Sequence, residues 1–153
     1  MFHMILFEPQ IPPNTGNIIR LSANTGTKLH LIEPLGFRLD EKSCRRAGLD
    51  YHSLAHVNIH KNLDECLEML SLARIFVITS HGRKSLFDQI FAAGDAFLFG
   101  SETAGLPRSV HARFDAEQKL RLPMIAGNRS LNLANAASIV VYEAWRQTGF
   151  ATA

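Results

Sequence analysis

The sequence predicts an α/β domain with a mainly parallel sheet and flanking helices. Short apolar runs alternate along the chain with segments of helical periodicity, which is the pattern of consecutive β–α units. The most apolar run, residues 75–79, is rich in β-branched side chains and has no polar alternation, as in a strand that is buried on both faces. A length of 153 residues with 46% hydrophobic and 20% charged side chains is typical of one globular domain. We therefore expect a single domain over residues 1–153.

Six strands are expected where apolar runs meet a stop signal. They are predicted at residues 4–7, 29–32, 57–59, 75–79, 96–100 and 119–122. Pro9, Pro34 and Pro123 follow the first, the second and the last of these runs, and proline cannot donate to a sheet ladder.

Four helices are expected between the strands. They are predicted at residues 14–23, 40–47, 62–72 and 130–147. Asn14 or Thr15 is the expected N-cap of the first helix, and Gly26 is placed to end it. Asn62 with Glu65 resembles a capping box at the start of the third.

The charge and the cysteines bound the class of protein. The formal net charge of +2 neither requires nor excludes nucleic acid, but eleven of the sixteen basic side chains are Arg, and the guanidinium group binds phosphate in a bidentate way. There is no apolar run of about 18 residues and no secretory signal at the N-terminus. Cys44 and Cys66 have no metal-binding spacing, so we expect reduced thiols, of the kind that pack as small hydrophobes, in a cytoplasmic protein.

Three familiar kinds of site do not fit the sequence. No Gly-x-Gly-x-x-Gly follows a predicted strand, and residues 100–107 have the glycine spacing of a P-loop without its Lys-Ser/Thr. His52, His56 and His60 are spaced four apart, but the segment is predicted as a loop that enters a strand. We therefore expect three exposed polar histidines and no metal site there.

Polar residues gather in the loops where parallel sheets bind ligands, beyond the carboxyl ends of the strands. The first such segment covers residues 13–20, and it opens a helix on which Asn17, Arg20 and Asn24 form a polar stripe at i, i+3 and i+7. An arginine between asparagines at this edge suits a phosphate group. A capped helix with a solvated face is the alternative.

The second segment is the loop of residues 99–107. Glycines at both ends of a six-residue turn allow the backbone to approach a ligand closely, and Glu102 is the one acidic residue in it. Such a turn suits a neutral planar base such as adenine, whereas a loop that leads into a helix near Pro107 is the alternative.

The third segment covers residues 128–137 at the start of the last predicted helix. Asn132, Asn135, Tyr142, Glu143 and Arg146 share one face of that helix, and about half of its circumference is apolar. Alone, this pattern favours a plain core helix.

Together the three segments resemble the SPOUT superfamily of RNA methyltransferases. The resemblance is carried by Asn-x-Gly-Asn-Ile-x-Arg at 14–20, Gly-Ser-Glu-x-x-Gly-Leu at 100–106 and Ser-Leu-Asn-Leu at 130–133, in this order. It implies a C-terminal trefoil knot, although chains are otherwise almost never knotted. It also implies S-adenosylmethionine as cofactor, a homodimer, tRNA as substrate, and 2′-O-methylation of a ribose. The short layout is similar to enzymes that modify the wobble nucleotide, a cytidine or modified uridine, of leucine tRNAs.

The resemblance also implies roles for individual residues. Those expected to bind the cofactor are Ile78, Thr79, Gly100, Ser101, Glu102, Leu122, Ser130 and Leu131. Those expected to serve catalysis are Arg20, Asn14, Asn17, Ser130, Asn132 and Tyr142. Because an arginine stays protonated, we expect Arg20 to stabilise developing charge and to anchor phosphate before it accepts a proton.

The expected RNA contacts are Arg20, Arg45, Arg46 and Arg129. Two copies of the basic segment 38–46 on one side of a symmetric dimer would give a cationic surface, and a solvated helix face is the alternative. Two other functions stay open on sequence grounds. They are 2′-O-methylation of another RNA site and RNA binding by a non-catalytic module of the same fold. No metal site is expected.

Overall fold

A computed structural model describes residues 1–38 and 57–151. The strands are β1 (His3–Phe7), β2 (Lys28–Ile32), β3 (Val57–His60), β4 (Ile75–Ile78), β5 (Lys84–Ser85), β6 (Ala96–Phe99) and β7 (Lys119–Arg121). The helices are α1 (Pro12–Thr25), α2 (Leu63–Met69), α3 (Arg108–His111) and α4 (Leu133–Gln147), with 3-10 turns at Leu86–Asp88 and Ala116–Gln118. None of these described helices is both long and apolar enough to cross a lipid bilayer.

The strands form one seven-stranded sheet in the order β3-β2-β1-β6-β4-β7-β5, and every described pair is parallel. This confirms the predicted α/β class with a parallel sheet. Phe99 at the end of β6 is in register with Leu6 on one side and with Ile78 on the other, and Ile78 is in register with Leu120 of β7. The carboxyl ends of four neighbouring strands therefore lie at one edge.

Helices cover both faces of the sheet. Successive side chains of a strand point to opposite faces, so each strand contributes to a core on either side. Met4 and Leu6 of β1 belong to a core with Ile18 of α1 and Val140 of α4. Ile5, in contrast, belongs to a second core on the opposite face, which includes side chains from α2 and α3. A central parallel strand buried on both sides explains why the predicted runs lack polar alternation.

Several predicted boundaries are wrong. Helix α1 begins at Pro12, with Ile11 as an N-cap that has no side-chain hydrogen bond, so neither Asn14 nor Thr15 caps it. Prolines are favoured in the first helical turn because a backbone N–H at that position would have no acceptor within the helix. Helix α4 begins after Asn132 and not at residue 130.

The remaining differences concern short elements. Helix α2 is shorter than predicted and ends at Met69. The two-residue strand β5 and the four-residue helix α3 are too short to leave a periodic signal. The predicted helix at 40–47 lies outside the described residues.

The prediction for His60 is also wrong, because this side chain is 1% exposed. It belongs to a row of imidazoles across β1, β2 and β3. His3 Nδ1 lies 3.0 Å from His30 Nε2, and His30 Nδ1 lies 2.9 Å from His60 Nε2. Burial, and then the neighbouring His3, His60 and Lys28, lower the pKa of His30 to about 3, so the buried ring is uncharged at neutral pH. His52 and His56 lie outside the described residues.

Cys66 is a buried thiol, as predicted. It is fully inaccessible within the core beneath α2, and burial, with a smaller contribution from Glu65, raises its pKa to about 12. Cys44 lies outside the described residues.

Candidate active site

A cavity of about 550 Å³ opens at the carboxyl edge of β4, β6 and β7. Its wall contains every residue that the sequence predicts to bind the cofactor, namely Ile78, Thr79, Gly100, Ser101, Glu102, Leu122, Ser130 and Leu131. It also contains Asn14 and Asn132 from the predicted catalytic set. The structure thus brings the three sequence segments together at one site.

The turn after β6 exposes its backbone to this cavity. Ser101 and Gly105 exchange two backbone hydrogen bonds, of 3.2 and 2.9 Å, and Gly105 has φ +66°, a conformation that favours glycine. A Cβ atom on Gly100 would overlap the backbone of Gly105 and Leu106. The turn therefore holds its tight shape only with glycine at position 100.

Glu102 fastens that turn to the start of α1. Its Oε2 accepts a hydrogen bond from the backbone N–H of Gln10 (2.8 Å), and its Oε1 accepts from the backbone N–H of Ile11 (3.1 Å) and from Asn14 Nδ2 (3.2 Å). These N–H groups lie at the N-terminal end of a helix, where a carboxylate is electrostatically favoured. Glu102 thus holds the two residues that lead into α1.

Asn14 and Asn132 extend the connection to α4. Asn14 is 6% exposed, and its Oδ1 accepts a hydrogen bond of 2.8 Å from Asn132 Nδ2. Asn132 Oδ1 in turn accepts from the backbone N–H groups of Ala134 (2.9 Å) and Asn135 (3.4 Å), which caps α4. Glu102, Asn14 and Asn132, called here the three-loop network, therefore join the loops after β1, β6 and β7.

The other predicted catalytic residues lie outside the cavity wall. Asn17 and Arg20 are exposed on α1, one and two helical turns beyond Asn14. Tyr142 is 47% exposed on α4, where its ring meets that of Trp145 edge-on with centroids 5.8 Å apart. Of the predicted RNA contacts, Arg129 is exposed in the loop before α4, whereas Arg45 and Arg46 lie outside the described residues.

Two histidines at the cavity were missed by the sequence reasoning. The ring of His81 meets that of His111 edge-on with centroids 6.4 Å apart, and both residues line the cavity. Burial, and then the charges of Lys119 and His81, lower the pKa of His111. The position of His81 three residues after Ile78, beyond β4, was the available signal. His111 gave none, because α3 is too short to be predicted.

The chain is similar throughout to a known family and to its characterised members. A family model described as the SpoU rRNA Methylase family matches residues 1–142. A tRNA (cytidine(34)-2'-O)-methyltransferase of Burkholderia ambifaria is 57% identical over 152 residues, which cover 98% of this chain and 97% of that protein. The protein of the same description from Escherichia coli K12 is 51% identical over 150 residues, with 98% and 96% coverage.

Solved structures show the same likeness. A protein from Bacillus anthracis superimposes with a TM-score of 0.91 at 42% identity, over 98% of this chain and 96% of that one. A structure that describes the 2-OH methylation of C/U34 on tRNA gives a TM-score of 0.89 at 43% identity, with 99% and 98% coverage. The SpoU methyltransferase AviRb from Streptomyces viridochromogenes, in complex with the cofactor AdoMet, gives 0.82 at 27% identity, with 98% and 58% coverage.

Proposed function

Because the chain belongs to the SpoU rRNA methylase family, we propose that it is an enzyme that methylates the ribose 2′-hydroxyl of nucleotide 34 of a tRNA. The methyl donor is S-adenosylmethionine. The relatives that match nearly the whole chain are tRNA (cytidine(34)-2'-O)-methyltransferases. The observation that carries the proposal is the three-loop network, which holds the predicted cofactor and catalytic segments around one cavity.

The cavity fits such a cofactor. A Cβ atom on Gly105 would meet nothing within 4 Å, so the turn leaves open space beside its backbone, which suits a planar base that is recognised by the main chain. Ile78, Leu122 and Leu131 supply apolar wall for the body of the ligand. When bound, the cofactor supplies an electrophilic methyl group on a sulfonium sulfur.

Arg20 is proposed to act on the substrate at the mouth of the cavity. With the cofactor bound, the methyl carbon would pass from sulfur to the 2′-oxygen, the sulfur would keep the electron pair of the broken carbon–sulfur bond, and the hydroxyl proton would pass to water. Negative charge develops on that oxygen, and a fixed guanidinium near it lowers the barrier. Arg20 stays protonated, so its roles are this stabilisation and phosphate anchoring.

The amide and hydroxyl side chains of the predicted catalytic set are proposed to position the reactants. Asn14 is already fixed by hydrogen bonds to Glu102 and to Asn132, and Asn132 is fixed by its bond to Asn14 and by its cap of α4. Both can therefore orient a ribose without a further loss of side-chain freedom. Asn17 and Ser130 would complete this set from α1 and from the loop before α4. Tyr142 would hold the substrate or the partner subunit.

We further propose that the enzyme works as a homodimer, with tRNA lying across both subunits. Ile139, Tyr142 and Phe150 on and just beyond α4 are large apolar side chains with substantial exposure, from 38% to 51%, and a two-fold axis would bury such a surface against itself. Arg129 with Arg45 and Arg46 would supply the phosphate contacts. The trefoil knot, a single domain over residues 1–153 and a cytoplasmic location belong to the same proposal.

The deciding experiment supplies methyl-labelled cofactor and total tRNA, and then maps the modified nucleotide. We expect label on the ribose of nucleotide 34. Label in a base would refute the reaction, and label on the ribose of another RNA would refute the substrate. No label, together with no binding of S-adenosylhomocysteine by calorimetry, would indicate a non-catalytic RNA-binding module.

Arg20→Ala tests the assignment within the site. We expect this variant to lose methyl transfer while it still binds S-adenosylhomocysteine, because Arg20 does not line the cavity. Arg113→Ala, which removes an arginine paired with Asp64 on another face, is the control and keeps its activity. Near-normal transfer by Arg20→Ala would refute the role of Arg20.

A further inference from the structure

A second cluster of chemically capable side chains lies on the other half of the sheet, away from the cavity. His30 of β2 and His60 of β3 are 2% and 1% exposed, and Cys66 of α2 packs in the core beside them. One ligand atom from each of these three residues lies within 4.8 Å of the other two. None of the three lines the cavity at β4, β6 and β7.

The fold holds these three side chains in place. Parallel pairing sets β3 beside β2, with His60 in register with Ile32. Only Lys61 and Asn62 separate β3 from α2, and Asn62 caps α2 through a 2.9 Å hydrogen bond from the Glu65 N–H. This short, fixed connection sets Cys66 over the end of β3.

One buried ring nitrogen of the cluster is unpartnered within the part of the chain that the structure describes. His60 Nδ1 is buried and has no hydrogen-bond partner among the described residues, whereas His60 Nε2 and both ring nitrogens of His30 are engaged. A buried polar atom without a partner costs about 1–3 kcal/mol. Because His60 Nδ1 lies close to a thiol and a second imidazole, a bound ligand would give it a partner.

We propose that His30, His60 and Cys66 form a binding site for a borderline-soft transition-metal ion such as Zn²⁺. Imidazole nitrogen and thiolate sulfur are the donors that this ion prefers, and three protein ligands leave one position for a further ligand. The ion would bind the lone pairs of His60 Nδ1, the unpartnered atom, and of His30 Nδ1, whose hydrogen bond to His60 Nε2 it would replace. Both imidazoles would stay neutral and keep their Nε2 protons, and the thiol of Cys66 would release its proton to solvent as the sulfur–metal bond forms.

His3 would orient His30 as a metal ligand through a hydrogen bond. A histidine that binds a metal through one ring nitrogen donates from the other to a fixed acceptor. His30 Nε2 lies 3.0 Å from His3 Nδ1, so a His30 that binds through Nδ1 has its acceptor in position. No sequence motif indicates this site, because its ligands come from positions 30, 60 and 66.

The test is a titration of the metal-free full chain with Co²⁺, in a non-thiol reductant. We expect one equivalent to bind, with visible ligand-field bands and a near-ultraviolet thiolate-to-cobalt charge-transfer band, and we expect Zn²⁺ to displace it. Cys66→Ala should lose the charge-transfer band, while Cys44→Ser, the matched control at the other cysteine, keeps it. Absence of the band in the wild-type protein, or its persistence in Cys66→Ala, would overturn the proposal.

Two further readouts separate metal binding from packing. His3→Gln leaves all three ligands intact and should weaken Co²⁺ binding by about tenfold, and an unchanged affinity would overturn the role of His3. Zn²⁺ should raise the melting temperature of the wild-type protein and of Cys44→Ser but not of Cys66→Ala. Equal rises in all three proteins would indicate adventitious sites elsewhere and refute the assignment.

Discussion

Replacing Glu102 with Gln changes one atom and tests whether the three-loop network organises the site. The carboxylate accepts three hydrogen bonds through two oxygens, whereas an amide has one oxygen. If the amide oxygen of the new side chain points toward Ile11 and Asn14, its amide nitrogen faces the backbone N–H of Gln10. Both of these groups are donors, so no hydrogen bond can form between them. The substitution therefore removes one hydrogen bond and takes the charge from the other two.

The size of the effect follows from that count. A hydrogen bond to a charged group contributes about 1.5–3 kcal/mol, so the free energy of unfolding should fall by about that amount. If the turn at 100–105 then leaves its position, binding of the cofactor has to restore it. The dissociation constant for S-adenosylhomocysteine should then rise by roughly tenfold to a hundredfold, since 1.4 kcal/mol corresponds to a factor of ten.

Calorimetry with S-adenosylhomocysteine and urea denaturation at a fixed protein concentration measure the two effects. Glu143→Gln is the matched control, because Glu143 also accepts several hydrogen bonds, from Arg146 and Gln147 on α4, but does not line the cavity. Its affinity for the ligand should be unchanged. If Glu102→Gln binds within twofold of the wild-type protein and unfolds at the same urea concentration, Glu102 does not organise the site.

Four other perturbations test neighbouring parts of the structure. Gly100→Ala should destabilise the protein by at least about 1–3 kcal/mol in urea denaturation, because its Cβ atom meets backbone that cannot yield, and an unchanged midpoint would refute this. Asn132→Asp keeps the cap of α4 but loses the donor to Asn14, so it should impair methyl transfer. Asn132→Ala also loses about 1 kcal/mol of capping, so it should be less stable than Asn132→Asp. Equal stability of the two variants would refute the capping role. Arg74→Ala should lower the free energy of unfolding by about 1–3 kcal/mol, because it leaves the Asp95 side chain, which is 3% exposed, without its half-exposed arginine partner. A decrease of less than about 0.5 kcal/mol in urea denaturation would contradict this. The affinity for tRNA should fall at least about tenfold between 50 and 200 mM salt. An affinity that does not change with salt concentration would show that phosphate contacts do not drive binding.

The sequence was informative where a residue acts through its own local pattern. The apolar runs predicted six of the seven described strands, because a strand buried on both faces needs little polar alternation. The segments that contain Asn14, Glu102 and Asn132 could be picked out by their unusual polar and glycine content. Their convergence could be inferred from the rule that ligands bind beyond the carboxyl ends of parallel strands.

The sequence was uninformative where the structure depends on a distant partner. The histidine row is the clearest case, because His60 looks like an exposed loop residue until β2 is placed beside β3. The anchoring of the segment before α1 is another, since the Ile11 N–H donates to Glu102, which is 91 residues away along the chain. No local pattern in residues 8–14 could reveal that donor and acceptor would meet.

The long separations within the three-loop network have a consequence for how the enzyme is made. Asn14 meets Glu102 across 88 positions and Asn132 across 118, and contacts so distant along a chain form late, because closing a large loop costs conformational entropy before any bond compensates it. The cofactor pocket can therefore exist only after the last fifth of the chain has been synthesised and has found its place. A newly made chain that has folded only its first strands and helices has nothing with which to hold a methyl donor, so ligand binding reports completed assembly.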